Sequence, residues 1–73
     1  MATFFIRTNG DAAYSSIMEA VMSRALTHSK STVMGNNEIE IIGSSVDFTF
    51  FLNKISEINS NAGGTVAIIT EGI

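Results

Sequence analysis

Two acidic residues are the closest that this sequence comes to a catalytic arrangement. Glu38 and Glu40 lie two positions apart, so a strand would place both carboxylates on one face of a sheet. Acid–base chemistry of the glycosidase type needs one carboxyl group kept protonated inside an apolar pocket. On a small open sheet we expect both side chains to be solvated. The pair therefore does not predict an enzyme.

The other candidates for site chemistry are explained more simply by local structure. The chain has no cysteine and one histidine, His28, which excludes disulfides, thiolate sites and multi-histidine metal sites within one chain. The sequence indicates no nucleophile or acid to act with His28, which is interpreted as a solvated or capping residue. Gly63-Gly64 is interpreted as a turn and Ser44-Ser45 as a helix cap rather than as phosphate or anion sites. We expect no enzyme activity, no cofactor and no metal.

The charge balance argues against nucleic acid and membrane as partners. Seven acidic and four basic residues give a net charge of −3, and the bases are scattered, whereas non-specific nucleic-acid binding requires clustered Lys and Arg. RNA-binding domains of the βαββαβ type carry outward aromatic residues on their central strands, and here Phe5 would be the only one. No apolar run reaches the roughly 18–20 residues that span a bilayer, and the N-terminus does not resemble a signal peptide. We expect a cytoplasmic protein.

The first part of the chain predicts a strand and a helix. Thr3–Thr8 is rich in aromatic and β-branched residues, which favour strands. Asn9-Gly10-Asp11 has turn chemistry, with Asp11 as the expected N-cap of the helix. From Asp11 to Thr27 apolar residues recur at helical spacing. The stripe that we expect to face the core consists of Tyr14, Met18, Val21, Met22 and Ala25, with Ile17 on its flank.

The middle of the chain predicts a hairpin. Ser31–Met34 is a short strand, and Glu38–Ile41 alternates between acidic and apolar residues as a half-buried strand does. Gly35-Asn36-Asn37 between them supplies residues that tolerate the positive φ angles of a tight turn. One alternative stays open, in which the chain is a loop up to Asn37 and the sheet is a three-stranded βαβαβ unit.

A second helix and a last strand complete the predicted pattern. Ser44 and Asp47 resemble a capping box at the start of a helix over Ser45–Ser60, although the aromatic content near its start also permits a strand there. Asn61-Ala62-Gly63-Gly64 is interpreted as a helix stop with room for a left-handed C-cap, and Thr65–Thr70 predicts the last strand. The expected core stripe of this helix consists of Phe48, Phe51, Leu52, Ile55 and Ile58.

The order of these elements predicts the fold. A βαββαβ order is that of the split-βαβ or ferredoxin-like arrangement, so we expect an α+β domain over residues 1–73, with a four-stranded antiparallel sheet in the order fourth-first-third-second and both helices on one face. The helix-facing strand residues would be Phe4, Ile6, Val33, Ile39, Ile41, Val66 and Ile68. The opposite, open face would carry Phe5, Arg7, Thr32, Met34, Glu38, Glu40, Ile42, Ala67 and Ile69.

The open face is the predicted functional surface. Phe5, Ile42 and Ile69 would give it more apolar area than solvent exposure requires, and contiguous exposed apolar patches mark interfaces. A chain of 73 residues also has a small core, which self-association can support. We therefore predict a homo-oligomer or a complex with a host protein, formed through the open sheet face or through pairing of the last strand. The predicted partner-binding residues are Phe5, Arg7, Met34, Glu38, Glu40, Ile42 and Ile69.

Two classes of non-enzymatic function fit such a surface. The first is a regulator or inhibitor that covers a partner protein, a class common among small cofactor-free chains made by phages and mobile elements. The second is a small-ligand sensor with its site at a dimer interface, for which Asn9, Asn36, Asn37 and Ser45 are the polar candidates. Fold alone does not decide between them.

Overall fold

The computed structural model of the chain describes residues 2–24, 30–35 and 37–72. Its elements follow the order β1 (Ala2–Thr8), α1 (Asp11–Ser23), β2 (Lys30–Gly35), β3 (Glu38–Gly43), α2 (Ser45–Ala62) and β4 (Ala67–Glu71). The strands form one sheet in the order β2-β3-β1-β4, with every neighbouring pair antiparallel. The predicted ferredoxin-like α+β fold is confirmed. The three-stranded alternative is wrong, and so is a strand near the start of α2.

The core lies between the sheet and the two helices. Alternate residues of the central strands, Phe4 and Ile6 of β1 and Ile39 and Ile41 of β3, are buried in one cluster with residues of both helices. Phe4 makes an edge-to-face contact with Phe48 at 5.5 Å between ring centroids, a geometry that adds to the burial of area. Both helices therefore cover the same face of the sheet. The helix residues buried in the cluster are Ile17, Ala20, Val21, Phe51 and Ile55.

The orientation of α1 differs from the prediction. Met22, placed in the core stripe by sequence, is 74% exposed, whereas Ile17, placed on the flank, is fully buried. The buried positions of α1 also include Ala13 and Ala20. Small side chains let the helix backbone approach its neighbours closely, so these alanines, and not the bulky Met22, define the packed face. Tyr14 and Met18 pack at the margin of the core.

The two ends of α1 also differ from the prediction. The N-cap is Gly10, at φ 99°, and no side chain caps the helix there. Asp11 is instead the first helical residue, where a carboxylate is favoured by the helix dipole. The helix ends at Ser23, with Arg24 as its C-cap. Its predicted continuation to Thr27, with Ala25 and the neighbouring His28, lies outside the described residues.

The caps at the two ends of α2 are of the predicted kinds. Ser44 Oγ accepts a hydrogen bond from the Asp47 N–H, and Asp47 accepts one from the Ser44 N–H, which together form a capping box. Gly63 provides a left-handed C-cap at φ 74°. The core stripe is only partly as predicted, because Leu52 is largely exposed and Phe50 packs against the core in its place. The helix runs two residues beyond the predicted Ser60.

The last strand presents the opposite face from the one predicted. Ala67 is buried and Ile69 packs against the core, whereas Ile68, which the alternation assigned to the core, is exposed. Directly paired residues of an antiparallel ladder share a face, and Ile69 lies opposite the buried Ile6. The Thr65–Thr70 segment has apolar residues at both its even and its odd positions. Alternation alone therefore could not decide which of these residues face the core. Ala67 fits where α2 packs on β4 because its side chain is small.

Strand β2 lies at the other edge of the sheet and is poorly covered. Val33 pairs with the buried Ile39 and so points to the helix side, as predicted, yet it is 56% exposed. The ladder between β2 and β3 is irregular between Val33 and Gly35. The connecting turn includes Asn37 at φ 61°, which agrees with the predicted tight turn, while Asn36 lies outside the described residues.

Candidate protein-binding surface

The face of the sheet opposite the helices carries a regular grid of side chains, which we call the open face. Strand alternation and the pairing register define its members. A row of this grid joins directly paired residues across the strands, and a column follows the residues of one strand. The central row runs from Thr32 through Glu40 and Phe5 to Thr70. The complete set consists of Thr3, Phe5, Arg7, Lys30, Thr32, Glu38, Glu40, Ile42, Ile68 and Thr70.

The apolar part of the open face comes from three strands. Phe5 lies on β1, Ile42 on β3 and Ile68 on β4, and Ile68 is 45% exposed. The Phe5 ring lies against Gly72, because a Cβ on that glycine would come within 2.7 Å of the ring Cε2. Phe5 is consequently half-buried within its own chain while its ring still contributes to the face. Together the three residues form an apolar diagonal across the face, from Ile42 on β3 through Phe5 on β1 to Ile68 on the edge strand β4.

An ion pair crosses the two central strands on this face. Arg7 donates from Nη2 at 2.9 Å and from Nε at 3.2 Å to the same Glu38 oxygen, Oε2. The two residues are directly paired in the β1–β3 ladder. The Arg7 side chain is 67% exposed, so the pair adds only about 0–1 kcal/mol to stability. Its larger effect is to fix two opposite charges in adjacent columns of the face.

The geometry of the acidic pair does not resemble a catalytic site. Glu38 is an ion-pair partner of Arg7, and Glu40 lies in the next row between Thr32 and Phe5. Both carboxylates are on the open sheet surface and not in an enclosed apolar pocket. General acid–base catalysis by this pair would need a carboxyl group shielded from water, and the open face offers no such enclosure around them.

The structure brings together most of the sequence-predicted partner-binding residues. Phe5, Arg7, Glu38, Glu40 and Ile42 share the open face, as the register shows. Met34 lies at the irregular end of β2 and is 51% exposed.

One predicted member is wrongly placed and one residue was missed. The placement of Ile69 on the open face is wrong, because Ile69 pairs with Ile6 and packs against the core. Its neighbour Ile68 pairs with Arg7 and takes its place on the face. The available signal was Ala67, the one small apolar residue of the segment, whose burial sets the parity of its neighbours.

The polar residues proposed for a small-ligand site do not converge. Asn9 lines a groove of about 430 Å³ between the start of α1 and the end of α2, with Ile58 and Val66 among its walls. Ser45 lines a separate shallow depression on α2. The Asn37 carbonyl accepts the Thr8 N–H at 2.9 Å in the turn beside β1. Ser45 therefore lies apart from Asn9, whereas Asn37 is bonded to Thr8, the residue before Asn9.

Within the described part of the chain, the one buried acidic residue has a structural role. Asp47 is fully buried and accepts hydrogen bonds from the Ser44 N–H and hydroxyl and from Arg24 Nη2 at 3.0 Å. The Arg24 guanidinium lies 4.4 Å from the centre of the Phe50 ring, a cation–π geometry. A Cβ on Gly43 would come within 2.7 Å of Asp47 Oδ2, so glycine is needed there. This cluster closes the start of α2 against the end of α1.

Cofactor and membrane features can be stated for the described part of the chain. Among residues 2–24, 30–35 and 37–72, no group of three acidic or histidine side chains is arranged to hold a metal ion. Over the same ranges, neither helix has both the length and the apolar character needed to cross a bilayer. The chain matches no protein-family model, no curated protein and no solved structure at a significant level.

Proposed function

We propose that this chain is a non-enzymatic protein-interaction module that acts by covering a protein surface with its open face. The observation that carries the proposal is an apolar diagonal of Ile42, Phe5 and Ile68, which ends beside the Arg7–Glu38 pair on a sheet face that neither helix covers. Aromatic and aliphatic side chains combined with polar groups are the usual composition of a protein interface. The same proposal makes the chain a cytoplasmic regulator or inhibitor.

The energetics of the face favour a protein partner over solvent. Three large apolar side chains are concentrated within one small face, whereas single scattered apolar residues would need no explanation. Burying an apolar side chain of this size stabilises a complex by roughly 1.5–3 kcal/mol relative to leaving it exposed. The accompanying ion pair supplies little affinity and more orientation, because surface charges act mainly on specificity and association rate.

The test compares one substitution on the open face with a matched substitution elsewhere. Ile68→Lys places a charge at the exposed apolar position of β4, and Lys is well tolerated on edge strands. Val46→Lys makes a similar change on α2, where Val46 is 66% exposed and away from the sheet. Binding is measured as self-association by sedimentation velocity and as capture of proteins from an extract of the source cells.

The expected result is a loss of binding confined to the open-face variant. Ile68→Lys should weaken association by about tenfold or more, since one buried aliphatic side chain is worth roughly 1.5–3 kcal/mol. Val46→Lys should bind as the unsubstituted chain does, and both variants should keep the same thermal midpoint. An unsubstituted chain that neither self-associates nor captures any protein, or equal losses in the two variants, would overturn the proposal.

A further inference from the structure

The charges of the open face are arranged so that the face is complementary to itself. Arg7 on β1 and Glu38 on β3 lie in the same row of the sheet and in adjacent columns. Arg7 uses Nε and Nη2 on a single oxygen of Glu38. A guanidinium has five N–H donors, and a carboxylate has a second oxygen. Each member of the pair can therefore bond its mate and one further group of opposite charge.

A twofold axis exchanges these two columns if it runs parallel to the strands between β1 and β3. Such an axis places β1 of one copy over β3 of the other and leaves every row in its place. Arg7 then faces Glu38 of the second copy, and Glu38 faces Arg7, which gives a closed ring of four alternating charges. In the central row, Phe5 faces the aliphatic stem of Glu40 of the second copy, and Thr32 faces Thr70.

Three other twofold axes bring like charges together. An axis along the strands but over β1 places Arg7 against Arg7, and one over β3 places Glu38 against Glu38. An axis perpendicular to the strands keeps β3 over β3, so that Glu40 meets Glu40 when the axis crosses the central row. Like charges juxtaposed at an interface oppose association strongly. Among these four axes, the register of the β1–β3 ladder favours the one between β1 and β3.

We propose that the partner bound by the open face is a second copy of this chain, related by a twofold axis parallel to β1 and β3. This inference rests on the proposed function, because it names the partner of the same surface. Closed twofold dimers are the commonest homo-oligomers, and their interfaces are self-complementary. Two sheets packed in this way keep their strands roughly aligned and about 10 Å apart.

The expected dimer is weak because the face is small. Four strands spaced about 4.8 Å apart make a face roughly 19 Å wide. The area that such a face can bury is at the lower end of the range for specific interfaces. We expect dissociation constants in the range of about 1 μM to 1 mM. Sedimentation equilibrium should therefore be run over that concentration range, at low salt and at high salt, because screening weakens the four-charge ring.

The decisive experiment exchanges the charges of the pair. Arg7→Glu alone places Glu against Glu38 of the second copy, and Glu38→Arg alone places Arg against Arg7. Each single variant should lose about a hundredfold in dimerisation, since like charges across an interface cost several kcal/mol. Mixing the two variants pairs opposite charges at both positions, so a heterodimer should form. The double variant Arg7→Glu/Glu38→Arg should again form a homodimer.

A further substitution separates the two families of axes. Glu40→Gln should change dimerisation by about twofold or less if Glu40 faces Phe5 of the second copy. The same substitution should strengthen dimerisation if Glu40 faces Glu40 of the second copy across an axis perpendicular to the strands. Circular dichroism and thermal unfolding show whether each single variant is folded, which is expected because the pair is largely exposed and contributes little to stability.

The outcomes distinguish failure of this inference from failure of the proposed function. A dimer that is insensitive to the single charge changes, as one formed by edge-strand pairing would be, overturns the proposed axis. The proposed function as a protein-interaction module is not contradicted by that result. A chain that stays monomeric at 1 mM (about the weakest affinity expected) but captures another protein in an Ile68-dependent manner overturns the second copy as partner. Monomer with no Ile68-dependent capture overturns both. Restoration by mixing supports the proposal.

Discussion

The two edge strands of the sheet are held in different ways. Strand β4 is covered by α2 and fixed at its start by a side chain of that helix, with Ala67 only 3% exposed. Strand β2 pairs with β3 through an irregular ladder, and five of its six residues are exposed. Val33 points to the helix side of β2 and is nevertheless largely exposed. Equal position at an edge therefore does not produce equal burial.

The side chain that fixes β4 is Asn59, in the last turns of α2. Its Oδ1 accepts the N–H groups of Val66 at 2.8 Å and Ala67 at 2.9 Å, and its Nδ2 donates to the Ala67 carbonyl at 3.0 Å. Asn59 thus provides the bonds that another strand would provide at this edge. The face that β4 presents therefore depends on its contacts with α2, through the Asn59 hydrogen bonds and through the burial of Ala67.

The largest expected effect comes from removing Asn59. Asn59→Ala leaves two N–H groups and one carbonyl of the Val66–Ala67 backbone without their partner. Each buried group left unsatisfied costs about 1–3 kcal/mol, and partial access of water reduces the sum, so we expect a loss of about 2–3 kcal/mol in the free energy of unfolding. Chemical denaturation measures it.

The matched control for Asn59 is Asn53→Ala on the exposed side of α2. It should change stability by no more than about 0.5 kcal/mol. Hydrogen exchange of the Val66 and Ala67 amides should accelerate in Asn59→Ala and not in the control. Equal stability of the two variants would contradict the view that Asn59 holds the β4 edge.

A smaller effect compares helix-facing residues at the two edges. Ile69→Ala on β4 removes a side chain packed against the core and should cost about 1–2 kcal/mol, since the site is only half-buried. Val33→Ala on β2 removes an exposed side chain and should cost about 0.5 kcal/mol or less. Urea unfolding curves measure both changes.

A variant on the other face of β4 provides the control for strand propensity. Ile68→Ala changes the same residue type on the same strand, where the side chain is largely exposed. It should cost less than Ile69→Ala by about 1 kcal/mol. If Val33→Ala proved as costly as Ile69→Ala, then β2 would be covered in solution, and the contrast between the edges would be wrong.

Much of the fold could be predicted because several local signals agree. The alternation of Glu38–Ile41 fixes the face of β3, and Gly35 and Asn37 flank a turn that needs permissive residues. The capping box at Ser44 and the glycine at 63 define both ends of α2. The open face followed from these elements for β1 and β3, since their alternation is unambiguous and their register is antiparallel.

The errors arose where burial depends on contacts distant in sequence. The rotation of α1 is set by Ala13 and Ala20, which a search for large apolar residues overlooks. The parity of β4 depends on Asn59 and on the room for Ala67 beneath α2. Alternation cannot show which side chains of a strand face the core when both its even and its odd positions are apolar. Ile68 was missed, and Ile69 wrongly included, for that reason.

The smallest expected effect concerns the far end of β4, where a second contact holds the edge. The Gly72 N–H donates to the Thr3 carbonyl at 2.7 Å, and the Phe5 ring lies over this glycine. A Cβ at Gly72 would meet the ring Cε2 at 2.7 Å, so Gly72→Ala must displace the ring. A ring at the open face can move at modest cost. The reduced entropy of the unfolded chain offsets part of that cost, by about 0.4–1 kcal/mol.

Gly64→Ala is the matched control, because a Cβ there meets nothing within 4 Å. It should stabilise the chain by about 0.4–1 kcal/mol through the unfolded state alone, whereas Gly72→Ala should be less stable than Gly64→Ala by about 1 kcal/mol. Thermal unfolding monitored by circular dichroism compares the two variants directly. Equal midpoints would mean that Phe5 does not rest on Gly72 in solution. In that case Gly72 would hold the far end of β4 only through its hydrogen bond to the Thr3 carbonyl, and the Phe5 ring would be free to contact a second copy.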